Sequence, residues 1–145
     1  MRVVRVLFLC TGNSCRSQMA EALVNARLGD RWAAVSAGTQ PADEVHPKAL
    51  QALAEIGIRH PNAYPKLADE FRGTAFDLVV TVCDDAAENC PVWLGQGQRV
   101  HVGFPDPARA TGTEDEMMAV FRSVRDDIEH RILPLLDTFA AWEAS

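Results

Sequence analysis

A nearly unbroken apolar run, Val3-Val4-Arg5-Val6-Leu7-Phe8-Leu9, passes through Cys10-Thr11-Gly12-Asn13-Ser14-Cys15-Arg16-Ser17 straight into a helical pattern that ends at Leu28. A continuously apolar, β-branched strand is buried on both faces, which is the habit of strands in parallel sheets. The helix predicted from Ser17 to Leu28 turns Met19, Leu23 and Ala26 inward, with Leu28 near the edge, and stops at Gly29-Asp30. The rest of the chain repeats this alternation. A second strand, Trp32 to Ala37, ends at Gly38, and a helix from His46 to Ile56 carries Leu50, Leu53 and Ile56 inward and closes at Gly57. Residues 59–68 read as loop, with Pro61, Asn62 and Pro65; Ala75 to Val82 and Arg99 to Val102 read as the third and fourth strands; Asp106 to Thr113 is again loop. The last helix runs from about Glu114 to Phe139, with Met117, Phe121, Val124, Ile128, Ile132, Leu135 and Phe139 at gaps of three and four. Pro134 falls inside it, where proline costs about 3 kcal/mol or produces a kink. Strands alternating with helices predict an α/β fold, a single domain over residues 1–145 with a four-stranded parallel sheet and helices on both faces.

Composition excludes several classes of function. The net charge of −6 leaves no basic face for nucleic acid, and any anion has to be captured locally against a repelling field. The longest apolar stretch, Val6 to Cys10, is far too short to span a membrane. Arg2 and Arg5 are not followed by the apolar segment and small-residue cleavage site of a signal peptide. The expectation is a cytoplasmic monomer, in a compartment where cysteines stay reduced unless they perform redox work. Four cysteines then call for a chemical explanation.

In open parallel sheets, ligands bind beyond the carboxyl ends of the strands, where the strand order reverses. Cys10, Cys83 and Asp106 each follow a strand and are expected on one rim. The spacing Cys-x5-Arg is weak alone: four cysteines and twelve arginines produce roughly a third of a match by chance. Its setting, with a strand before and a helix after, makes it specific. Successive N–H groups of Thr11, Gly12, Asn13, Ser14, Cys15 and Arg16, folded into a nest at a helix N-terminus, bind a tetrahedral oxyanion such as phosphate or sulfate. The Arg16 guanidinium adds a fork of charged donors. The same field favours a Cys10 thiolate. Ser17 can donate a hydrogen bond to that thiolate, and Asn13 can brace the loop.

The stretch Cys10 to Glu21 resembles the phosphate-binding loop of the low-molecular-weight protein tyrosine phosphatase fold. Ser36-Ala37-Gly38-Thr39, Pro65-Lys66, Thr81-Val82-Cys83-Asp84, Cys90-Pro91 and Asp106-Pro107 extend the resemblance over nearly the whole chain. Within that superfamily it is most similar to thioredoxin-coupled arsenate reductases. The resemblance implies reduction of arsenate to arsenite in arsenic detoxification, with Cys10 as nucleophile, Arg16 as oxyanion clamp, Ser17 beside the thiolate and Asp106 as general acid. It further implies that Cys83 attacks Cys10, releasing arsenite, and that Cys90 attacks Cys83. Thioredoxin or a related thiol donor then reduces the resulting disulfide, and no cofactor stays bound. A phosphatase has no use for Cys83 and Cys90, whereas a reductase needs a dithiol for its two electrons. On an intact helix, residues seven apart lie ~10.5 Å apart along the axis, beyond the ~7 Å that a disulfide spans, so this segment is expected to rearrange on oxidation. Two inert buried thiols are the competing reading of the pair. Zinc fits poorly, because the spacing of six lacks paired ligands and nearby histidines.

Low-molecular-weight phosphatase action on phosphotyrosine or small phosphate esters is the main alternative, and some phosphatase activity is expected in either case. Relatives with that activity place aromatic residues after the Asp-Pro pair. Ala108-Arg109-Ala110 follow here, which favours a small inorganic substrate. A non-catalytic oxyanion or redox sensor is a third reading. The resemblance also admits a potassium ion near Asn13, Glu21 and Ser36, for which a further carboxylate would be needed. Cys15 reads as a buried packing residue, with a protective or damaging disulfide to the nearby Cys10 as the alternative. His46, His60, His101 and His130 read as surface or capping residues.

Overall fold

The central strand owes its position to its apolar sequence. In β1 (Val4–Cys10), the side chains of Val6, Leu7, Phe8 and Leu9 are all buried, because partners flank the strand on both sides and both faces are covered. The computed structural model describes residues 2–84, 93 and 95–144, and side chains among these as far as residue 140. After β1 come α1 (Arg16–Leu28), β2 (Trp32–Gly38), α2 (Pro47–Glu55), a short 3-10 helix (Ala68–Phe71), β3 (Leu78–Thr81), β4 (Gln98–His101), a second 3-10 turn (Pro107–Arg109) and α3 (Glu114–Ala144). The sheet has four strands in the order β2-β1-β3-β4, every pair parallel. The chain leaves β1 toward β2 on one side and later enters β3 on the other, so the switch point lies at the carboxyl end of β1. There Cys10 pairs with Gly38, Leu9 pairs with Thr81, and the Val82 N–H continues the ladder to the Leu9 carbonyl at 2.9 Å.

The two-residue period of β1 divides the core. Val4, Val6, Phe8 and Cys10 meet α1, α2 and α3, which pack together on one face. Leu7 and Leu9 meet Ala37, Val79, Phe76 and Trp93 on the other, where Ala68 and Phe71 of the 3-10 helix supply the cover. Helical structure therefore lies on both faces of the predicted sheet, very unequally among the described residues. None of the described helices is long and apolar enough to cross a membrane.

Side-chain directions needed correction more than element types did. Ala26 is exposed, and Ala20, Ala22 and Val24 are buried instead. α1 is wedged between β2 and α3, so its first two turns are buried over a wide arc and its last turn leaves the core. Leu50 is exposed, with Ala49, Ala52 and Leu53 forming the inner face of α2. In α3, Met118 and Leu136 are buried in place of Met117 and Leu135. Each is a one-residue shift, a turn of about 100° on a 3.6-residue helix. α3 also runs past Phe139 and through Pro134. Pro134 and His130, whose carbonyl the proline cannot pair, both face solvent, and water can replace that bond.

Candidate active site

The turn after β1 is shaped by where its carbonyls go. The oxygens of Thr11, Gly12 and Ser14 accept from the N–H groups of Gln40, Ala42 and His46 at 2.9, 2.9 and 3.1 Å, and the Ser14 hydroxyl donates to the Glu44 carbonyl at 2.9 Å. With these carbonyls engaged by the 40–46 segment, the loop's N–H groups turn toward its hollow. The Asn13 N–H reaches the Cys10 Sγ at 3.2 Å. Asn13 takes a φ of 50°, a left-handed conformation that asparagine tolerates better than most residues. Gly38, opposite the loop, must lack a side chain: a Cβ there would lie 2.4 Å from the Thr11 carbonyl oxygen. α1 begins at Arg16 with Cys15 as its N-cap and no side-chain cap, so its first N–H groups are available to an anion.

The hollow is a cleft of about 240 Å³ lined by Cys10, Gly12, Asn13, Ser14, Cys15, Arg16, Ala42, Asp106 and Ala108. It unites the predicted loop with the predicted acid, 90 residues further on. At its base the Ser17 Oγ lies 2.9 Å from the Cys10 Sγ and accepts from the Asn13 Nδ2 at 2.8 Å. Arg16 is buried, with its Nη1 donating to the Phe104 carbonyl at 3.2 Å and its Nη2 3.8 Å from the Asp106 Oδ2. Asp106 caps the 3-10 turn by accepting from the Ala108 N–H through Oδ1 at 3.0 Å, which leaves Oδ2 toward the guanidinium. Among the described residues, the exposed Ala42 and Ala108 lie at its mouth.

Cys15 is buried, and burial, the charge of Asp106 and the neighbouring Cys10 push its pKa up to about 12, so it stays a thiol. Cys10 and Cys15 are free, while Cys83 is disulfide-bonded and fully buried. All three share the core cluster on the helical face. The segment after β3 is laced to the one before Asp106: the Phe104 N–H donates to the Val82 carbonyl at 3.2 Å. Cys90 lies outside the described residues.

Below the loop, Glu21 accepts from the Ser36 hydroxyl at 2.9 Å and has the Lys66 ammonium 3.7 Å from one oxygen and the His60 Nε2 3.5 Å from the other. The Asn13 Oδ1 accepts from the Lys66 N–H at 2.8 Å and from the Gln18 Nε2 at 3.0 Å. These residues do not fit the potassium ion that the resemblance admitted. Positive charge already stands beside Glu21, and the Asn13 oxygen is taken by two donors.

Sequence reasoning missed Gln18, Lys66 and His60 as members of this site. His60 is a buried-side partner of Gln18 at 2.8 Å, not a simple surface residue. His46 does cap a helix, with its Nδ1 accepting from the Lys48 N–H at 3.1 Å. His101 pairs with the Thr81 hydroxyl at 2.7 Å, and His130 is exposed. No local spacing marks Gln18 and His60 as a pair, since 42 residues separate them.

The chain is similar to known proteins in both sequence and fold. The model of the family described as low molecular weight phosphotyrosine protein phosphatase matches residues 5–143. The chain is 47% identical over 133 residues to an arsenate reductase of Bacillus subtilis (strain 168), covering 92% of this chain and 95% of that one. An arsenate reductase structure from Archaeoglobus fulgidus DSM 4304 superposes with a TM-score of 0.72 at 36% identity, over 91% of this chain and 98% of that one. The thioredoxin-dependent arsenate reductase of Corynebacterium glutamicum superposes with a TM-score of 0.68 at 28% identity, over 96% of this chain and 63% of that one.

Proposed function

Because the chain belongs to the low molecular weight phosphotyrosine protein phosphatase family, we propose that it reduces arsenate to arsenite through a relay of Cys10, Cys83 and Cys90 that thioredoxin resets. The distribution of thiols carries this reading: Cys10 is free at the base of the oxyanion cleft while Cys83 is in a disulfide, the state a relay leaves once its nucleophile has been regenerated. The arsenate reductases named above support the substrate, and the thioredoxin-dependent relative supports the donor.

The loop amides and Arg16 hold the arsenate oxygens. The Cys10 thiolate attacks arsenic, and Asp106 delivers a proton to an oxygen that leaves as water. The Cys83 thiolate then attacks the Cys10 sulfur. The electrons of the S–As bond pass to arsenic, which departs as arsenite, and a Cys10–Cys83 disulfide forms. Attack of the Cys90 thiolate on Cys83 frees Cys10, and the two electrons that reduce the last disulfide come from thioredoxin. The cycle needs no bound cofactor, and it suits a monomer in the reducing cytoplasm.

The test is arsenite production with thioredoxin, thioredoxin reductase and NADPH, for wild type, Cys83→Ala and Cys90→Ala. Catalytic turnover is expected in wild type and at most one stoichiometric event in either variant. Absent turnover beside robust hydrolysis of an aryl phosphate would transfer the assignment to the phosphatase activity after which the family is described.

A further inference from the structure

We propose that Gln18 and His60 are positioning residues for the Cys10 nucleophile, acting on its sulfur through Asn13 and Ser17. The proposal rests on the reading of Cys10 as nucleophile given above. Gln18 is fully buried, and the orientation of its amide is dictated by its surroundings. Its Nε2 faces the Asn13 carbonyl at 3.1 Å, the Asn13 Oδ1 at 3.0 Å and the Tyr64 carbonyl at 3.1 Å, all acceptors. Its Oε1 must then meet a donor, and it meets the His60 Nε2 at 2.8 Å. His60 therefore carries its proton on Nε2. Burial chiefly, with the Lys66 ammonium, lowers the His60 pKa below its ordinary value against the opposing pull of Glu21, and the neutral ring suffices as donor.

The bonds run in one direction. The His60 Nε2–H donates to the Gln18 Oε1, the Gln18 Nε2–H to the Asn13 Oδ1, and the Asn13 Nδ2–H to the Ser17 Oγ. An oxygen that accepts from Asn13 keeps its own proton for the Cys10 Sγ, 2.9 Å away. Each donor polarises the next, so three bonds in sequence strengthen the fourth, which reaches the sulfur. Gln18 acts a second time through the backbone, because its bond to the Asn13 carbonyl holds the left-handed residue whose N–H also points at Cys10. The chain begins at a ring that Glu21 and Lys66 flank, well away from the cleft lining. A thiolate gains from this series and a neutral thiol gains much less, so losing the far donors weakens the charged form selectively.

The experiment measures alkylation of Cys10 by iodoacetamide from pH 5 to 9, resolved from Cys15 by fragment mass spectrometry. It compares wild type, Gln18→Met, His60→Leu and His60→Gln, with thermal melts recorded by circular dichroism. Gln18→Met and His60→Leu should slow the reaction about three- to tenfold at pH 6, the size of an ordinary hydrogen bond lost at a remove from the charge, and converge on wild type at pH 9. His60→Gln keeps an N–H donor and should restore most of the rate. Folded variants with the wild-type profile would overturn the proposal, as would a loss of equal size at every pH. If Gln18→Met does not fold, the comparison of His60→Leu with His60→Gln decides. Wild-type Cys10 that resists alkylation throughout would instead remove the nucleophile reading, and this inference with it.

Discussion

The hydroxyl of Ser17 and the sulfur of Cys10 lie 2.9 Å apart, and the proton between them belongs to Ser17 whenever the sulfur is ionised. Removing that donor leaves the thiolate with the Asn13 N–H, 3.2 Å away. Ser17→Ala should lower the rate of arsenate reduction at pH 6 by about one to two powers of ten, the value of a hydrogen bond to a charged group. The deficit should shrink as pH rises and the thiolate forms unaided. A pH-independent deficit in steady-state turnover would count against this assignment.

Asp106 holds its turn through one oxygen and faces Arg16 with the other. Asp106→Asn preserves the capping acceptor and removes the transferable proton. The maximal rate of arsenate reduction should fall about 10²- to 10⁴-fold with little change in arsenate KM. An unchanged rate would show that the proton comes from elsewhere.

Cys15, with its pKa pushed up to about 12, binds a proton that the unfolded chain gives up near 9. A raised folded-state value stabilises below the unfolded pKa and loses that contribution as pH climbs, so folding should weaken by up to about 4 kcal/mol between pH 9 and 12 from this group. Cys15→Ala should flatten that part of the alkaline denaturation profile, at a cost of about 1 kcal/mol at pH 7 for the space vacated. Urea midpoints across the range provide the measurement, and parallel curves for the two proteins would refute it.

His46 caps α2 through an unprotonated Nδ1, and burial together with Lys48 lowers its pKa, against the charges of Asp106 and Glu44. A depressed folded-state value gives stability above the unfolded pKa and loses it as pH falls. Below the ordinary histidine range the ring should gain a proton on Nδ1 and release the Lys48 N–H, a cap worth about 1 kcal/mol. His46→Asn keeps an acceptor that does not titrate there. Its Tm should fall less than that of wild type between pH 7.5 and 5.5, and an equal fall would show the cap to be indifferent to acid.

Much of this fold was legible in the sequence because strands and loops leave local signatures. β1 is apolar at nearly every position, which only a strand covered on both faces needs, and Cys10 to Ser17 follows it without a spacer. The glycine, the arginine and the helix start then mark a candidate anion site within one turn. Which helical residues point inward was less legible. Ala26 has the right spacing but sits on a turn that outruns its neighbours, and Met117 and Met118 differ by a rotation that spacing resolves poorly. Of the support beneath the loop, only Asn13 and Ser17 were legible. Gln18 meets Tyr64, and Asn13 meets Lys66, only after the sheet has brought segments 46 and 53 residues apart into contact. A buried amide declares itself through its partners, and these are set by tertiary structure.

The bare Cα of Gly38 divides this site into parts with different futures under mutation. Any side chain there must displace the Thr11 backbone, whose oxygen lies 2.4 Å from where a Cβ would stand. That displacement would pass into the loop that lines the cleft. Ala42 and Ala108 at the mouth carry no such debt. A library that aims to change which oxyanion or ester enters should therefore randomise positions 42 and 108 and leave 38 untouched, because the mouth is evolvable and the loop is not.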